Sequence, residues 1–318
     1  MPVSTVLVTG GAGFIGSHLV DRLLRDGHTV RVLDSFATGR RENLAHLEDV
    51  EIVEGDIQSY ERVHTAVRGC DCVLHQAALP SVPRSVQDPL MTNVVNVTGT
   101  LNVLLAARDS GVRRVVYASS SSVYGPGVEL PKREDAPPQP VSPYAVSKLA
   151  GESYCRAFAA VYGLESIALR YFNVFGPRQD PTSQYSAVIP RFITAARGAR
   201  PVTVYGDGSQ SRDFTFIDNV VQANLCALSA PRAEGQALNI ACGERISLLE
   251  VIGVLGDLLQ QEVEIDHAPP RAGEIPHSLA DVSRAATEIG YVPAIGFRDG
   301  LARTVESFAA ASPAAVTR

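Results

Sequence analysis

Apolar residues follow two rhythms through the first half of this 318-residue chain. Short, nearly continuous runs rich in β-branched residues occur at TVLVTG (5–10), TVRVLD (29–34), VEIVEGD (50–56), DCVLHQA (71–77), RRVVYASS (113–120) and ESIALRYF (165–172). Between them, helical patterns occupy about 14–26, 60–68, 92–109 and 144–162. Strands that are apolar throughout need cover on both faces, and intervening helices supply it. The pattern predicts an α/β fold built on a doubly wound parallel sheet.

The second half is less regular. Proline- and glycine-rich connections at 176–181, 198–208 and 268–276 separate short elements. Such loops are where a rigid scaffold presents substrate contacts. The division expected is a nucleotide-binding unit over 1–176 and a smaller, mixed α/β substrate unit over 177–318, with segments near 214–241 returning to the first. No internal repeat or low-complexity tract is visible, and the Ala-rich tail from about 308 reads as a frayed end.

Composition narrows the class. Hydrophobic residues make up 45% and charged residues 19%, enough for a large core and unlike a disordered chain. A net charge of −6 without blocks of like charge argues against a nucleic-acid scaffold or a basic membrane-surface protein. The opening MPVSTVLVTGG has no basic segment ahead of a long apolar run, so a cytoplasmic protein without signal peptide or span is expected. Five cysteines, an odd number mostly in apolar stretches, read as buried free thiols. Cys70 and Cys72 lack a second pair and the seven histidines show no ligand spacing, so no metal is expected.

Candidate chemistry begins where the first strand runs into GGAGFIG, with Gly10, Gly13 and Gly16 at GxxGxxG spacing and Phe14 and Ile15 opening a helix. Glycine permits a tight turn, close approach of backbone amides to a pyrophosphate, and close packing of helix on strand. The helix N-terminus then meets the negative charge. Asp34, ending the second strand, can accept both ribose hydroxyls of NAD and would repel a 2′-phosphate, although Arg40 and Arg41 stand nearby. Asp56 and Ile57 end the third strand, placed for an adenine edge. Gln76, Ala77 and Ala78 end the fourth, where small residues leave room for a cofactor.

The fifth strand ends in SSSSVYG (119–125), facing the same crevice. SPYAVSK (142–148) then sets Tyr144 and Lys148 one helical turn apart. A free tyrosine has a pKa of about 10. A neighbouring ammonium and a positive nicotinamide ring would lower it, giving a base able to remove a hydroxyl proton as hydride leaves the carbon.

Together TGGAGFIG, SSSSVYG, SPYAVSK and RYFNVFGP resemble the extended short-chain dehydrogenase/reductase family, in its nucleotide-sugar epimerase branch, over about residues 4–305. The resemblance implies a Rossmann-type domain holding NAD and a smaller domain holding a nucleotide diphosphate sugar. It implies that Ser120 is the catalytic hydroxyl beside Tyr144 and Lys148, that Tyr171 lines the cofactor and that Asn173 lines the sugar. It also implies a homodimer in which the helix over 92–109, with Val94, Val97, Leu101, Leu104 and Leu105 at helical spacing, joins the helix after Tyr144 in a four-helix bundle; those residues also suit an ordinary core face. Ser35 stands where many relatives carry Asn, and Gln76 where Leu is frequent; both bear on cofactor affinity.

Within that branch, dehydratases resemble one another in carrying Asp-Glu after the catalytic serine, and decarboxylases usually keep the Glu. Ser121 and Ser122 occupy those places here. The resemblance therefore points to 4-epimerisation through a 4-keto sugar. SVPRS (81–85), RQDPTSQYSAVIPRF (178–192), GDGSQSRDF (206–214) and RAGEIPHSLAD (271–281) look like the branch acting on UDP-hexoses and UDP-N-acetylhexosamines. The substrate-side candidates are Arg84, Ser85, Ser121, Ser122, Asn173, Ala187, Val188, Tyr205, Arg212, Arg271, Glu274 and Ser278. Arg212 and Arg271 would clamp the diphosphate. Ser278 stands where hexose-only relatives carry a tyrosine, so its small side chain leaves space for an N-acetyl group and favours UDP-GlcNAc and UDP-GalNAc. Epimerases restricted to UDP-glucose or UDP-glucuronate are the alternatives, then a net oxidoreductase that accumulates NADH. A non-catalytic NAD-binding regulator would ordinarily have lost Ser120, Tyr144 or Lys148.

Overall fold

Seven strands form the central sheet of the computed structural model, which describes residues 3–180, 188–270 and 275–310. Six come from the first 171 residues: β1 (Thr5–Thr9), β2 (Thr29–Asp34), β3 (Glu51–Glu54), β4 (Cys72–His75), β5 (Arg114–Ser120) and β6 (Glu165–Tyr171). After the short β7 (Val174–Phe175), β8 (Val202–Tyr205), β9 (Ser211–Arg212) and β10 (Thr215–Phe216), the chain returns with β11 (Glu234–Ile240) as the seventh. The order is β11-β6-β5-β4-β1-β2-β3, and every pairing is parallel. The chain's direction of travel reverses between β1 and β4, and ligands in such sheets bind outside the carboxyl ends of the strands at that switch.

Both faces are covered, as the unbroken apolar strands require. α1 (Phe14–Arg25) and α8 (Ile217–Ser229) pack on one face, where Val6, Val8, Leu19, Leu23, Val220 and Leu228 share a core. On the other, Leu7, Leu33, Val73, Val103, Leu104 and Phe158 join β1, β2 and β4 to the helices that cover them. These helices are α2 (Tyr60–Val67), α5 (Gly99–Asp109) and α6 (Pro143–Tyr162). The alternation of Val6 and Val8 with Leu7 is the period-two signature of a strand buried on both sides.

The first core continues through Phe175, Phe214, Phe216 and Phe297 into a smaller layer. Here α7 (Val188–Arg197), α9 (Leu248–Leu259) and α11 (Phe297–Ala310) accompany three two-stranded ladders, β7 with β10, β9 with β12 (Ile246–Ser247), and β8 with β13 (Ile265–Ala268). α10 (Ser283–Ile289) lies against β11.

The helix expected over 92–109 begins earlier. After α3 (Val82–Gln87), the Asp88 carboxylate accepts the N–H of Met91 at 2.9 Å and caps α4 (Pro89–Asn93). The helix passes through one π-helical stretch, Val94–Thr98, into α5. Leu90 and Met91 are exposed, at 78% and 44%, while Val95, Val103, Leu104, Ala106 and Ala107 are buried. By length and composition this helix could cross a membrane; its buried inner face is what a core helix needs. Val94, Val97, Leu101 and Leu105 are half-buried, and only Leu104 of the five expected apolar positions is fully so.

α6 starts where the sequence supplies a start. The Ser142 hydroxyl accepts the N–H of Ala145 at 3.1 Å, and Pro143 occupies the first turn, where no amide partner is needed. It ends at Gly163 in the left-handed conformation. At Gly151 it comes so close to β5 that a Cβ would lie 2.3 Å from the Tyr117 ring.

Candidate active site

The glycine turn sits at the carboxyl end of β1. Gly10 has φ +69, and a side chain there would come within 2.8 Å of the Ala77 backbone. A Cβ on Gly16 would lie 2.1 Å from the Gly10 carbonyl oxygen, so only glycine lets α1 begin this close to the turn. Gly13 caps α1 with no side-chain hydrogen bond, and the first turn holds no acidic residue. The amides beside Phe14 and Ile15 are thus presented to an anion without competition.

Asp34 ends β2, 7% exposed. Its carboxylate accepts the N–H of Ala12 at 2.9 Å and of Phe36 at 2.8 Å. Burial raises its pKa, and the two amide hydrogen bonds pull the other way. Arg40 pairs with Asp180 at 2.7 Å, and Arg41 pairs with Glu54 and stacks over Phe36. Both arginines that left NADP open are therefore engaged by carboxylates. Ser35 lies exposed beside Asp34.

At the end of β3, Asp56 accepts both the backbone and side-chain N–H groups of Gln58, and Ile57 is buried beneath Gly99. At the end of β4, the Ala77 N–H donates to Thr9 Oγ1 at 3.2 Å, and Ala78 follows it, half-buried. The Gln76 amide donates to the Tyr171 hydroxyl and to Asn224 of α8, both at 3.2 Å. Tyr171, with its hydroxyl in this amide cluster, is pushed up to about 12 by burial.

A buried polar chain runs behind these strand ends. Thr9 Oγ1 lies 2.7 Å from His75 Nδ1, His75 Nε2 lies 3.0 Å from Thr100 Oγ1, and Thr100 donates to the Asn96 carbonyl at 2.6 Å. Because Thr100 spends its proton on Asn96, it accepts from Nε2–H, which leaves Nδ1 to accept from Thr9. His75 is thereby held neutral, and burial lowers its pKa to about 3. Asn96 then donates to Ser147 Oγ at 3.0 Å, and Ser147 to the Tyr144 carbonyl at 2.8 Å. Nothing in the sequence linked Thr9, His75, Asn96 and Thr100, because no spacing rule connects residues from separate strands and a helix.

Ser120, Tyr144 and Lys148 come together at the carboxyl end of β5. The Ser120 hydroxyl accepts the N–H and Oγ–H of Ser122, at 3.2 and 2.9 Å, and stands close enough to the Tyr144 phenol to pull its pKa down. Lys148 Nζ lies 5.9 Å from the Tyr144 ring centroid. The expected lowering of the tyrosine is not what the protein chain alone produces. Burial raises Tyr144, opposed by the nearby Ser120 hydroxyl, and the same desolvation lowers Lys148 to about 8. An ammonium so desolvated is a weaker aid to its neighbour than spacing suggested.

A cavity of about 260 Å³ opens within the smaller layer, lined by Asn173, Val188, Tyr205 and Arg212 among others. Arg212 donates to the carbonyls of Ser211 and Pro276 at 2.9 and 3.1 Å. The lining also includes Arg191, Thr203, Gln210 and Leu248, which the sequence reading did not single out; they come from α7, β8, the turn before β9 and the start of α9, which only the fold brings together. Arg84, Ser85, Ser121, Ser122 and Ser278 are not part of that lining. Ser85 is buried and gives its hydroxyl to the Val82 carbonyl. Ser278 is 6% exposed, its N–H donating to the Ser211 carbonyl at 3.0 Å. Ala187, Arg271 and Glu274 lie outside the described residues.

Residues 6–241 match the model of the NAD dependent epimerase/dehydratase family. The UDP-glucose 4-epimerase of Mycolicibacterium smegmatis is 41% identical, over 95% of this chain and 97% of that one. A UDP-N-acetylglucosamine 4-epimerase from Methanobrevibacter ruminantium, solved with UDP-N-acetylmuramic acid, superposes with a TM-score of 0.93 at 37% identity, covering 98% of this chain and 99% of that one. The Thermus thermophilus UDP-glucose 4-epimerase, solved with NAD, gives 0.89 at 38% identity, covering 97% and 100%. The chain belongs to the NAD dependent epimerase/dehydratase family.

NAD is the cofactor of this family, and the residues present fit it. A cradle that any Cβ would fill, an uncapped helix start and a buried carboxylate at the end of β2 suit its pyrophosphate and adenosine ribose.

Proposed function

We propose that this family member is a UDP-sugar 4-epimerase, with UDP-GlcNAc and UDP-GalNAc as its preferred pair and UDP-glucose and UDP-galactose also accepted. One observation carries the reading. Ser120, Tyr144 and the desolvated Lys148 meet beside a cradle for NAD, while the next two side chains, Ser121 and Ser122, carry no carboxylate for dehydration. The names of its relatives, UDP-glucose and UDP-N-acetylglucosamine 4-epimerases, agree with it.

NAD, when bound, supplies the acceptor and donor for hydride at sugar C4. The chain's own residues handle the proton. Tyr144, beside Ser120, takes it from O4 and later returns it. Arg212, Tyr205 and Asn173 hold the nucleotide and its diphosphate in the 260 Å³ cavity while the planar 4-keto ring turns to present its other face. Clamping one end of the substrate and leaving the other free to rotate is what separates epimerisation from net oxidation.

We read the exposed apolar positions of α4 and α6, including Leu90, Met91, Val146 and Val161, as the surface of a homodimer. The two helices already pack side by side, so a second copy would complete a four-helix bundle.

The test is product analysis. Purified protein, given no added reductant, is incubated separately with UDP-GlcNAc and UDP-glucose, and nucleotide sugars are resolved by chromatography. Faster formation of UDP-GalNAc is expected. UDP-galactose alone would retain the chemistry and remove the N-acetyl preference; steady NADH accumulation would replace epimerisation by net oxidation.

A further inference from the structure

Beneath the Ser120–Tyr144 pair lies an ion pair that proton or hydride transfer does not use. Ser119 donates its hydroxyl to Glu152 Oε1 at 2.5 Å. Arg170 meets the same carboxylate through two bonds, Nε to Oε1 at 2.9 Å and Nη2 to Oε2 at 2.7 Å. All three residues are buried, at 3%, 2% and 2% exposure for Ser119, Glu152 and Arg170. The guanidinium also stacks over the Tyr124 ring at 4.7 Å, and Tyr124 donates to Asn239 of β11 at 2.7 Å.

Each member adjoins a residue of the site. Ser119 precedes Ser120 on β5, Glu152 lies one turn beyond Lys148 and two beyond Tyr144 on α6, and Arg170 precedes Tyr171 on β6. Tyr124 closes the turn that carries Ser121 and Ser122. Stability alone is a poor reason to keep such a cluster, since apolar residues of similar volume replace a buried ion pair at little cost or with a gain. What an apolar replacement lacks is direction. A bidentate arginine and a short hydroxyl–carboxylate bond admit one register between β5, β6 and α6, and dispersion contacts admit several. Arg170 Nη1 is buried and finds no hydrogen-bond partner among the described residues, so the fold tolerates an unmet donor to keep this geometry.

We infer that Ser119, Glu152 and Arg170 are positioning residues, which fix the height and rotation of the Tyr144–Lys148 helix against Ser120. The inference rests on the epimerase reading for its rate measurement, and on the proximity of Ser120 to Tyr144 alone for its second readout.

The experiment compares Ser119→Ala, Ser119→Thr and the double variant Glu152→Met/Arg170→Met with wild type. Thermal midpoint, bound NAD, kcat and KM are measured on the same preparations. The Tyr144 phenol is titrated by ultraviolet absorbance, each protein against its Tyr144→Phe counterpart. For Ser119→Ala and the double variant we expect kcat to fall about ten- to hundredfold, as misplacement of reacting groups by a fraction of an ångström does. KM and bound NAD should stay at wild-type values, and the double variant should melt no lower than wild type. Because the nearby Ser120 hydroxyl lowers the phenol pKa, its displacement should move the Tyr144 titration upward, and Ser119→Thr should restore both readouts. Folded variants with unchanged kcat and an unmoved Tyr144 titration overturn the inference. If the double variant does not fold, the two Ser119 variants decide. If wild type turns over no UDP-sugar, the epimerase reading fails and the Tyr144 titration alone decides the positioning.

Discussion

Lys148 donates its ammonium to the backbone carbonyl of Ala118 at 2.8 Å and makes no ion pair among the described residues. The nearest carboxylate on its helix, Glu152, is already taken by Arg170. A lysine arranged this way keeps its position without a counter-ion to hold its charge, which is why desolvation lowers it to about 8.

Tyr144→Phe removes the proton acceptor and leaves the packing. We expect kcat to fall roughly a hundred- to ten-thousandfold with bound NAD unchanged, measured by nucleotide-sugar chromatography and by nucleotide release from denatured protein. Near-normal turnover would remove Tyr144 from the mechanism. Lys148→Ala should lower kcat and also weaken NAD retention.

The glycine turn can be tested apart from the chemistry. Gly16→Ala places a methyl carbon against the Gly10 carbonyl, so we expect protein that purifies without NAD and is less stable by about 1–3 kcal/mol. Asp34→Ala should weaken NAD binding while leaving the thermal midpoint of the nucleotide-free protein close to wild type. Equal NAD content in all three proteins would count against this cradle.

At residue 278 the prediction concerns selectivity. Ser278 is buried in a segment anchored to Ser211, and the proposed N-acetyl preference assigns it a place beside the sugar's 2-substituent. Ser278→Tyr should lose turnover of N-acetylated substrates and keep that of UDP-glucose. Unaltered UDP-GlcNAc turnover would sink the role of this position.

The neutral His75 makes stability depend on pH. Its folded pKa of about 3 lies below the ordinary 6.5, so the unfolded chain binds the proton first. The contribution is complete above pH 6.5 and declines as pH falls toward 3. One proton carries about 1.4 kcal/mol per pH unit, so about 2 kcal/mol should go between pH 6.5 and 5. Urea unfolding at the two pH values should show this loss in wild type and a flatter dependence in His75→Asn. Parallel pH dependences would assign the linkage elsewhere.

If α4 and α6 pair with a second copy, Leu90→Glu combined with Val146→Glu should convert dimer to monomer at micromolar concentration. Light scattering reads the outcome. A wild-type protein that is monomeric in that range would remove the dimer from the account.

Much of this was legible in the chain, and for a physical reason. Strands buried on both faces must be apolar at every position, so TVLVTG, TVRVLD and RRVVYASS stood out and the parallel sheet followed. The glycine turn was legible because backbone geometry excludes every other residue there. β9, β10 and β12, two residues each, have no period to detect, and they carry much of the smaller layer. Arg191 and Gln210 reach the cavity only because distant segments pack together. The pKa that the chain alone gives Tyr144 was not legible, for a related cause. Spacing reports that a lysine is near, while the cost of desolvating both groups depends on everything packed around them.

Gly151 has a last consequence. With no space for even a methyl group between it and the Tyr117 ring, α6 can rest on β5 at only one elevation. Tyr144 and Lys148, projecting from the same rigid rod two turns and one turn earlier, inherit that elevation. The height of the phenol above the end of β5 is therefore calibrated by an atom the chain omits, and enlarging that residue would lift Tyr144 and Lys148 together like a door raised off its hinge.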